Sequence, residues 1–310
     1  MKSYPNFTPA ILSAVLSLGL LAMPAQAQTT TKVAMPVLPD LQAKPPACAN
    51  ADDWLEATPP RHIYGDSWYV GTCGITVVLI ASPKGHVLID SAPAEAFGAV
   101  SQSITSLGVK LSDIKTILTT HEHHDHVGGI ALFQQASGAQ VLVRKPGLPT
   151  MQTGQPQAND PQYRTLRPMP AVANLGSISD GAVLKLAGKS LQNLPMPGHT
   201  QGGSGWSWRE CQAGVCKTLV FTDSLGALTD QHYRYSAPDG LAHALRQSAK
   251  RLARTRCDIL LTGHNGASDM LERLDGQSAL IDSAACKDFA AIGLKNLAKQ
   301  LLHEHQTLAN

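Results

Sequence analysis

Hydrophobic positions along the chain fall into three regimes. Ala10 to Ala22 form a short, nearly uncharged apolar run behind Lys2, and Ala25-Gln26-Ala27 supplies a small-residue cleavage pattern. Such a run is too short to span a bilayer comfortably, so residues 1–27 read as a secretory signal peptide cleaved after Ala27. Residues 28–60 hold Pro, Ala and Thr without periodicity and read as an extended arm. From Trp68 onward, short β-branched runs alternate with helical patterns. TCGITVVLIAS and HVLIDSA predict two strands joined at Pro83-Lys84-Gly85. PAEAFGAVSQSITSLG predicts a helix from Pro93 to Gly108, and IKTILTT a strand. GGIALFQQAS then predicts a short helix opening at Gly128, and AQVLVR a further strand.

Lys145 to Pro170 is rich in Pro, Gln and Gly and predicts a long loop with one helical turn. Loops of that length are often functional. The second half repeats the earlier logic loosely. AVLKLAG, SLQNLPMPG and GWSWRE lead to a hairpin and to KTLVFTDSL; LAHALRQSAKRLART predicts an amphipathic helix, CDILLTGH a strand, and the C-terminus a long helix. Strand–helix alternation of this kind marks an α/β layered fold, with residues 61–310 as its folded domain. Strands in both halves end in His or Asp, which predicts two related sheets meeting at a shared edge.

Composition narrows the function classes. A formal charge of +2 is too small to argue for nucleic acid or a membrane surface as partner. The cluster Lys250, Arg251, Arg254 and Arg256 reads as a solvated helix face. Six cysteines in an exported chain point to disulfides, and none of them has the C-x-x-C spacing of a zinc site. Fifteen pairings are possible for six cysteines. Cys211 and Cys216 flank a turn-like Gln-Ala-Gly-Val. Cys257–Cys286 would tie a strand to the last helix, and Cys48–Cys73 would pin the arm to the first sheet.

Thr119 to Gly129, TTHEHHDHVGG, concentrates four of the twelve histidines. His121 and His123, two apart at a strand end, project the same way. Asp125 and His126 follow where the chain turns into a helix. Imidazoles with a carboxylate suit zinc, among other transition metals. Four donors are too many for one open zinc site and too few for two, which predicts two more downstream. His199 in PMPGHTQGG and His264 in ILLTGHNG both lie just past apolar strands. Six donors, three per ion, is the count of a two-metal catalytic site. A metal-free, histidine-rich surface loop accounts poorly for strand-end placement of all six. His124 is expected to point away. His62, His86, His232, His243, His303 and His305 are expected to be surface or partly buried residues, and Gln155 and Gln157 in the long loop to be exposed.

H-x-H-x-D-H, followed by G-H-T and a late histidine, resembles the metallo-β-lactamase superfamily from about Tyr64 to the last helix. YVGTCGI, Asp223-Ser224-Leu225, GHTQGG and CKDFA resemble its class B β-lactamases of the third subclass. The resemblance implies a four-layer αββα sandwich with metals at one edge between the sheets. It implies a first zinc on His121, His123 and His199, and a second on Asp125, His126 and His264. Asp125 would also orient a metal-bound hydroxide that opens the β-lactam amide. Asp90 would support the ligand loop from outside the metal shell, and Ser224 would reach the second zinc through water. Gly226 departs from the family, falling where relatives carry a hydroxyl that meets the substrate carboxylate. The implied protein is a periplasmic, monomeric hydrolase of penicillins, cephalosporins and carbapenems. It would need two Zn2+ ions and water, and no nucleic acid or membrane partner. The rival implied by the same fold is a glyoxalase II-like thioesterase or a lactonase, in which Asp223 would bridge the metals.

Overall fold

Alternation along the strands sorts the apolar side chains into three layers. The computed structural model describes residues 48–309 together with Met1, Val33, Met35 and Pro36. The expected signal peptide apart from Met1, its cleavage site and most of the arm lie outside the described residues. The chain enters through β1 (Arg61–Tyr64), β2 (Ser67–Tyr69), β3 (Val78–Ile80) and β4 (His86–Ile89), paired antiparallel in that order. It continues through α1 (Phe97–Ser106), β5 (Ile114–Leu118), α2 (His124–Val127), α3 (Ile130–Ser137), β6 (Gln140–Arg144), α4 (Leu148–Thr153) and β7 (Leu175–Ile178). β4 to β7 pair in parallel and complete a seven-stranded sheet.

The second half lays down β8 (Val183–Leu186), β9 (Lys189–Pro195), β10 (Ser204–Gln212) and β11 (Val215–Thr222) as an antiparallel run. After α5 (Ala242–Arg254), β12 (Ile259–Thr262) returns parallel to β11, giving a five-stranded sheet, and α6 (Met270–Leu274) and α7 (Ala285–Ala309) follow.

Leu79, Leu88 and Ile117 face one way, into a layer with Val100 and Ile104 of α1 and Phe133 of α3. Their neighbours Val78, Ile80, Ile89 and Leu118 face the other way and meet Trp206, Leu219, Phe221, Ile259 and Leu261 of the second sheet. Val220 and Leu260 turn outward to Leu252 of α5 and Ala290 of α7. This period of two on strands buried on both faces builds helix, sheet, sheet and helix, a four-layer αββα sandwich. Each fully buried aliphatic or aromatic side chain contributes about 1.5–3 kcal/mol relative to exposure. No helix among the described residues is long and apolar enough to cross a membrane.

Several sequence expectations change in detail. TCGITVVLIAS is not one strand: a tight turn closes with Thr72 N–H donating to Ile75 O, and only Val78–Ile80 is ladder. Gly71 is required there, since a Cβ would meet Ile75 O at 2.0 Å. Pro93 caps a short 3-10 turn, so α1 starts later, at Phe97. The helix expected from Gly128 is preceded by α2, which begins at His124. The helical turn expected in the long loop is α4, while β1, β7 and α6 carry too few residues for periodicity to reveal them. His86 is neither at the surface nor partly buried; it is fully buried, and its Nδ1 accepts from Ser82 N–H. The cysteines pair as the spacing suggested: Cys48–Cys73, Cys211–Cys216 and Cys257–Cys286.

Candidate functional site

The parallel strands put their carboxyl ends on one edge of the sandwich. Asp90 follows β4, His121 follows β5, His199 follows β9, Asp223 and Ser224 follow β11, and His264 follows β12. His123 is the N-cap of α2, and Asp125 and His126 occupy its only turn. The helix start rotates these two donors back toward the strand end, which an extended chain could not do.

Two groups of donors converge. His121, His123 and His199 bring one ligand atom each within 4.8 Å of one another, and all three are buried. Asp125 Oδ2, His126 Nε2 and His264 Nε2 lie 3.2 Å apart in every pair. Donors about 2.05 Å from a tetrahedral zinc stand about 3.3 Å from each other, so this triangle is already the right size for the ion. His121 also groups with Asp125 and His126 within the same 4.8 Å, so the two triads adjoin. Buried His121 Nε2 has no hydrogen-bond partner, a lone pair that a metal would satisfy.

Outer contacts aim the rings. His199 Nδ1 lies 3.0 Å from Gly226 O, and His123 Nε2 lies 3.0 Å from Asp160 Oδ2. His121 Nδ1 is 2.8 Å from Asp223 Oδ1, though off the hydrogen-bond direction. These contacts leave His199 Nε2, His123 Nδ1 and His121 Nε2 on the inner side. Asp90 accepts from Thr120 N–H at 2.7 Å and Thr120 Oγ1 at 2.6 Å, and stands 3.7 Å from His126 Nδ1. It does so from a left-handed backbone (φ 63), a conformation that costs about 1–3 kcal/mol outside glycine. Gly263 passes so close to His126 that a Cβ would meet the ring at 2.7 Å.

Burial and charge set the protonation pattern. Burial, with His126 nearby, holds His121 well below its ordinary range. Burial and the neighbouring His123 bring His199 down to about 3. Burial alone would lower His126 too, but the Asp125 and Asp90 carboxylates outweigh it and raise the ring to about 10. Burial would raise Asp125, but His126 and the hydrogen bonds from His126 and His264 hold it well below the carboxylate range. Asp223 is pushed well up by burial.

Every expected donor therefore reaches one edge, and Asp90 reaches the ligand loop. Ser224 is adjacent but belongs to neither triad; its Oγ accepts from Gly226 N–H at 3.1 Å. Gln155 is exposed, and Gln157 donates to Pro146 O. His124 leans on Trp54 at 5.9 Å between ring centroids. Four contributors escape sequence reasoning. Asp160 and Gln162 reach His123 from the long loop, the latter at 3.5 Å from Nδ1. Glu122, buried between two ligands, accepts from Thr200 Oγ1 at 2.9 Å and Gly202 N–H at 3.0 Å, fastening the loop that carries His199. Trp54 is the fourth. An acid inside a histidine motif was the one visible signal.

Residues 70–264 match the model of the metallo-beta-lactamase superfamily. Among solved structures, the chain is similar to MEM-A1, a subclass B3 metallo-beta-lactamase isolated from a soil metagenome library. They share 39% identity over 82% of this chain and 100% of that one, with a TM-score of 0.79. MIM-1 from Novosphingobium pentaromativorans is 38% identical over 84% and 97% of the two chains, with a TM-score of 0.81. Among curated proteins, the hydroxyacylglutathione hydrolase of Pseudomonas entomophila (strain L48) is 34% identical over 44% of this chain and 43% of its own length. That of Pseudomonas aeruginosa (strain LESB58) is 29% identical over 54% and 52%. The chain thus spans about half the length of these curated relatives, against nearly all of the solved ones. Fold, donor edge and sequence match agree: this chain belongs to the metallo-beta-lactamase superfamily.

Proposed function

We propose that the protein is a zinc-dependent β-lactamase that hydrolyses the ring amide of penicillins, cephalosporins and carbapenems with two zinc ions. The observation that carries this reading is the pair of adjoining donor triads, in a chain that matches subclass B3 enzymes over their whole length. Bound zinc supplies a Lewis acid and lowers the pKa of water to about 7. His121, His123 and His199 would hold the first ion, and Asp125, His126 and His264 the second. Asp125 is ionised, and Oδ2 faces the second triad. Its Oδ1 is left to accept a hydrogen bond from the attacking water and so orient it. Ser224 accepts from Gly226 N–H with one lone pair and keeps its own proton to donate, toward water or the substrate carboxylate. Gly226 offers no hydroxyl of its own.

Asp223 bears on the rival thioesterase reading. It is 1% exposed, it accepts from Ser224 N–H at 2.7 Å, and its Oδ1 faces the outer nitrogen of His121. A carboxyl group behind a ligand ring is not placed to bridge two ions. An exported, periplasmic protein cut after Ala27 suits the reading, supported by the N-terminal pattern and by three disulfides.

The test is to assay the chain from Gln28 on a carbapenem and on S-lactoylglutathione. A kcat/KM above about 10⁴ M⁻¹s⁻¹ is expected on the first. Chelation should abolish it and zinc restore it. Thioester cleavage without β-lactam opening would reverse the assignment.

The two ions should differ in pH response. In the metal-free protein His126 keeps its proton up to about pH 10, so a metal at Nε2 must displace it. One competing proton weakens apparent affinity about tenfold per pH unit below that value. His121 and His199 are already neutral at pH 7, so the first centre has no such competitor on these rings. From pH 8 to pH 6 the proton on His126 should weaken the second zinc about 100-fold, a loss to which His121 and His199 add nothing at the first. Competition titration against a zinc indicator reads both slopes, and parallel slopes would contradict the assignment.

A further inference from the structure

One donor lacks what the other four histidines have. His123 and His199 hydrogen-bond through the outer ring nitrogen to Asp160 and to Gly226 O, each at 3.0 Å, and His121 and His126 turn theirs toward the Asp223 and Asp90 carboxyl groups at 2.8 and 3.7 Å. Such contacts fix ring orientation in metal sites. His264 shows no such partner on Nδ1 among the described residues, and its side chain is the most open of the five, at 40% exposure. What faces the ring instead is Trp54, 5.8 Å away between centroids and tilted by 53°.

Trp54 comes from the arm, outside both sheets, yet the arm here is built rather than draped. Glu56 folds the segment by accepting from Ala49 and Asn50 N–H, and Asp53 Oδ1 accepts from Leu55 and Glu56 N–H. Gly74 N–H donates to Asp53 O, Cys73 N–H donates to Glu56 O, and Cys48–Cys73 closes the loop covalently. The same Gly74 accepts from Asn265 N–H, while Asn265 Nδ2 donates to Ala51 O. The arm and the turn that carries His264 are therefore fastened to one hairpin and to each other. Trp54 itself remains 38% exposed, so packing in the core does not explain its place.

We propose that Trp54 is a positioning residue for His264: its indole face, held by the disulfide-closed arm, replaces the missing hydrogen-bond acceptor and sets the ring for the second metal. This rests on the assignment of His264 as a ligand of that metal. Removing the indole frees the ring to rotate, so affinity falls at the second centre and not at the first, whose three rings Trp54 does not touch. A contact to a ligand from outside the metal shell is typically worth about 10–100-fold in metal affinity.

The experiment is stepwise zinc titration of the metal-stripped protein against a chelating indicator, with no substrate present. Trp54→Ala should weaken the second step by about 10–100-fold and leave the first within about threefold. Trp54→Phe, which restores an aromatic face, should recover most of the loss. Cys48→Ala/Cys73→Ala, which releases the arm while keeping the indole, should weaken the same step. Loss from both steps alike, or from neither, overturns the proposal while leaving the ligand assignment intact. If the unaltered protein takes up no second zinc, the ligand assignment itself fails, and the proposal with it.

Discussion

His264→Ala should retain one zinc per chain after dialysis and lose more than about 100-fold in β-lactam turnover, whereas Ser224→Ala should keep both ions. The contrast follows from distances. His264 Nε2 stands 3.2 Å from both Asp125 Oδ2 and His126 Nε2, so its removal leaves that centre two protein donors. Two donors and open water do not hold zinc against micromolar free concentrations, because structural and catalytic sites use three or four. Ser224 Oγ instead faces Gly226 N–H, and its loss removes an outer contact worth about 10–100-fold in activity. Atomic absorption after dialysis at micromolar free zinc decides between them. If Ser224→Ala falls to one ion while His264→Ala keeps two, the second centre must lie nearer Asp223, where the thioesterase reading looks for it.

The donor set was legible because its rules are local. An i, i+2 pair at a strand end shares a face, and strands of a parallel sheet deliver their carboxyl ends to one edge. What projects the rings inward was not legible. Asp160 reaches His123 across a long loop, and Asp223 lies behind His121 from the other sheet. Those contacts depend on how two sheets and a loop come together, which no spacing encodes. The same limit explains the strands that were missed. β1 pairs with β2 across a short turn and shifts register between His62 and Tyr64, which blurs alternation. TCGITVVLIAS reads as continuous strand because Gly74 is its only internal break signal, with Gly71 just before it. Each is needed for backbone approach: a Cβ on Gly74 would meet the Asp53 carbonyl at 2.8 Å. Glu122 carried a signal, an acid among histidines, but no spacing in the sequence names its partners. The loop of His199 curls back over it, and a Cβ on Gly202 would meet its carboxylate at 2.3 Å.

Trp206→Ala should destabilise the protein by about 3–5 kcal/mol, the usual cost of emptying a large aromatic from a core. Trp206 on β10 is fully buried in the layer where the two sheets face each other. Its Nε1–H donates to Thr119 O at 2.9 Å, two residues before His121. The indole therefore does two things at once: it fills the space between the sheets, and it pins the carbonyl at the end of β5 from which the ligand loop starts. Trp206→Phe separates them. It keeps most of the apolar volume but leaves Thr119 O buried without that donor, which should cost about 1–3 kcal/mol. Denaturant unfolding must be run in chelator, since zinc bound to the native state adds its own stability and hides the difference. A loss below about 1 kcal/mol in Trp206→Ala would mean that the sheets are held elsewhere. A loss in Trp206→Phe equal to that in Trp206→Ala would assign the effect to the hydrogen bond rather than to the volume, and would make the anchoring of the ligand loop the main duty of this tryptophan.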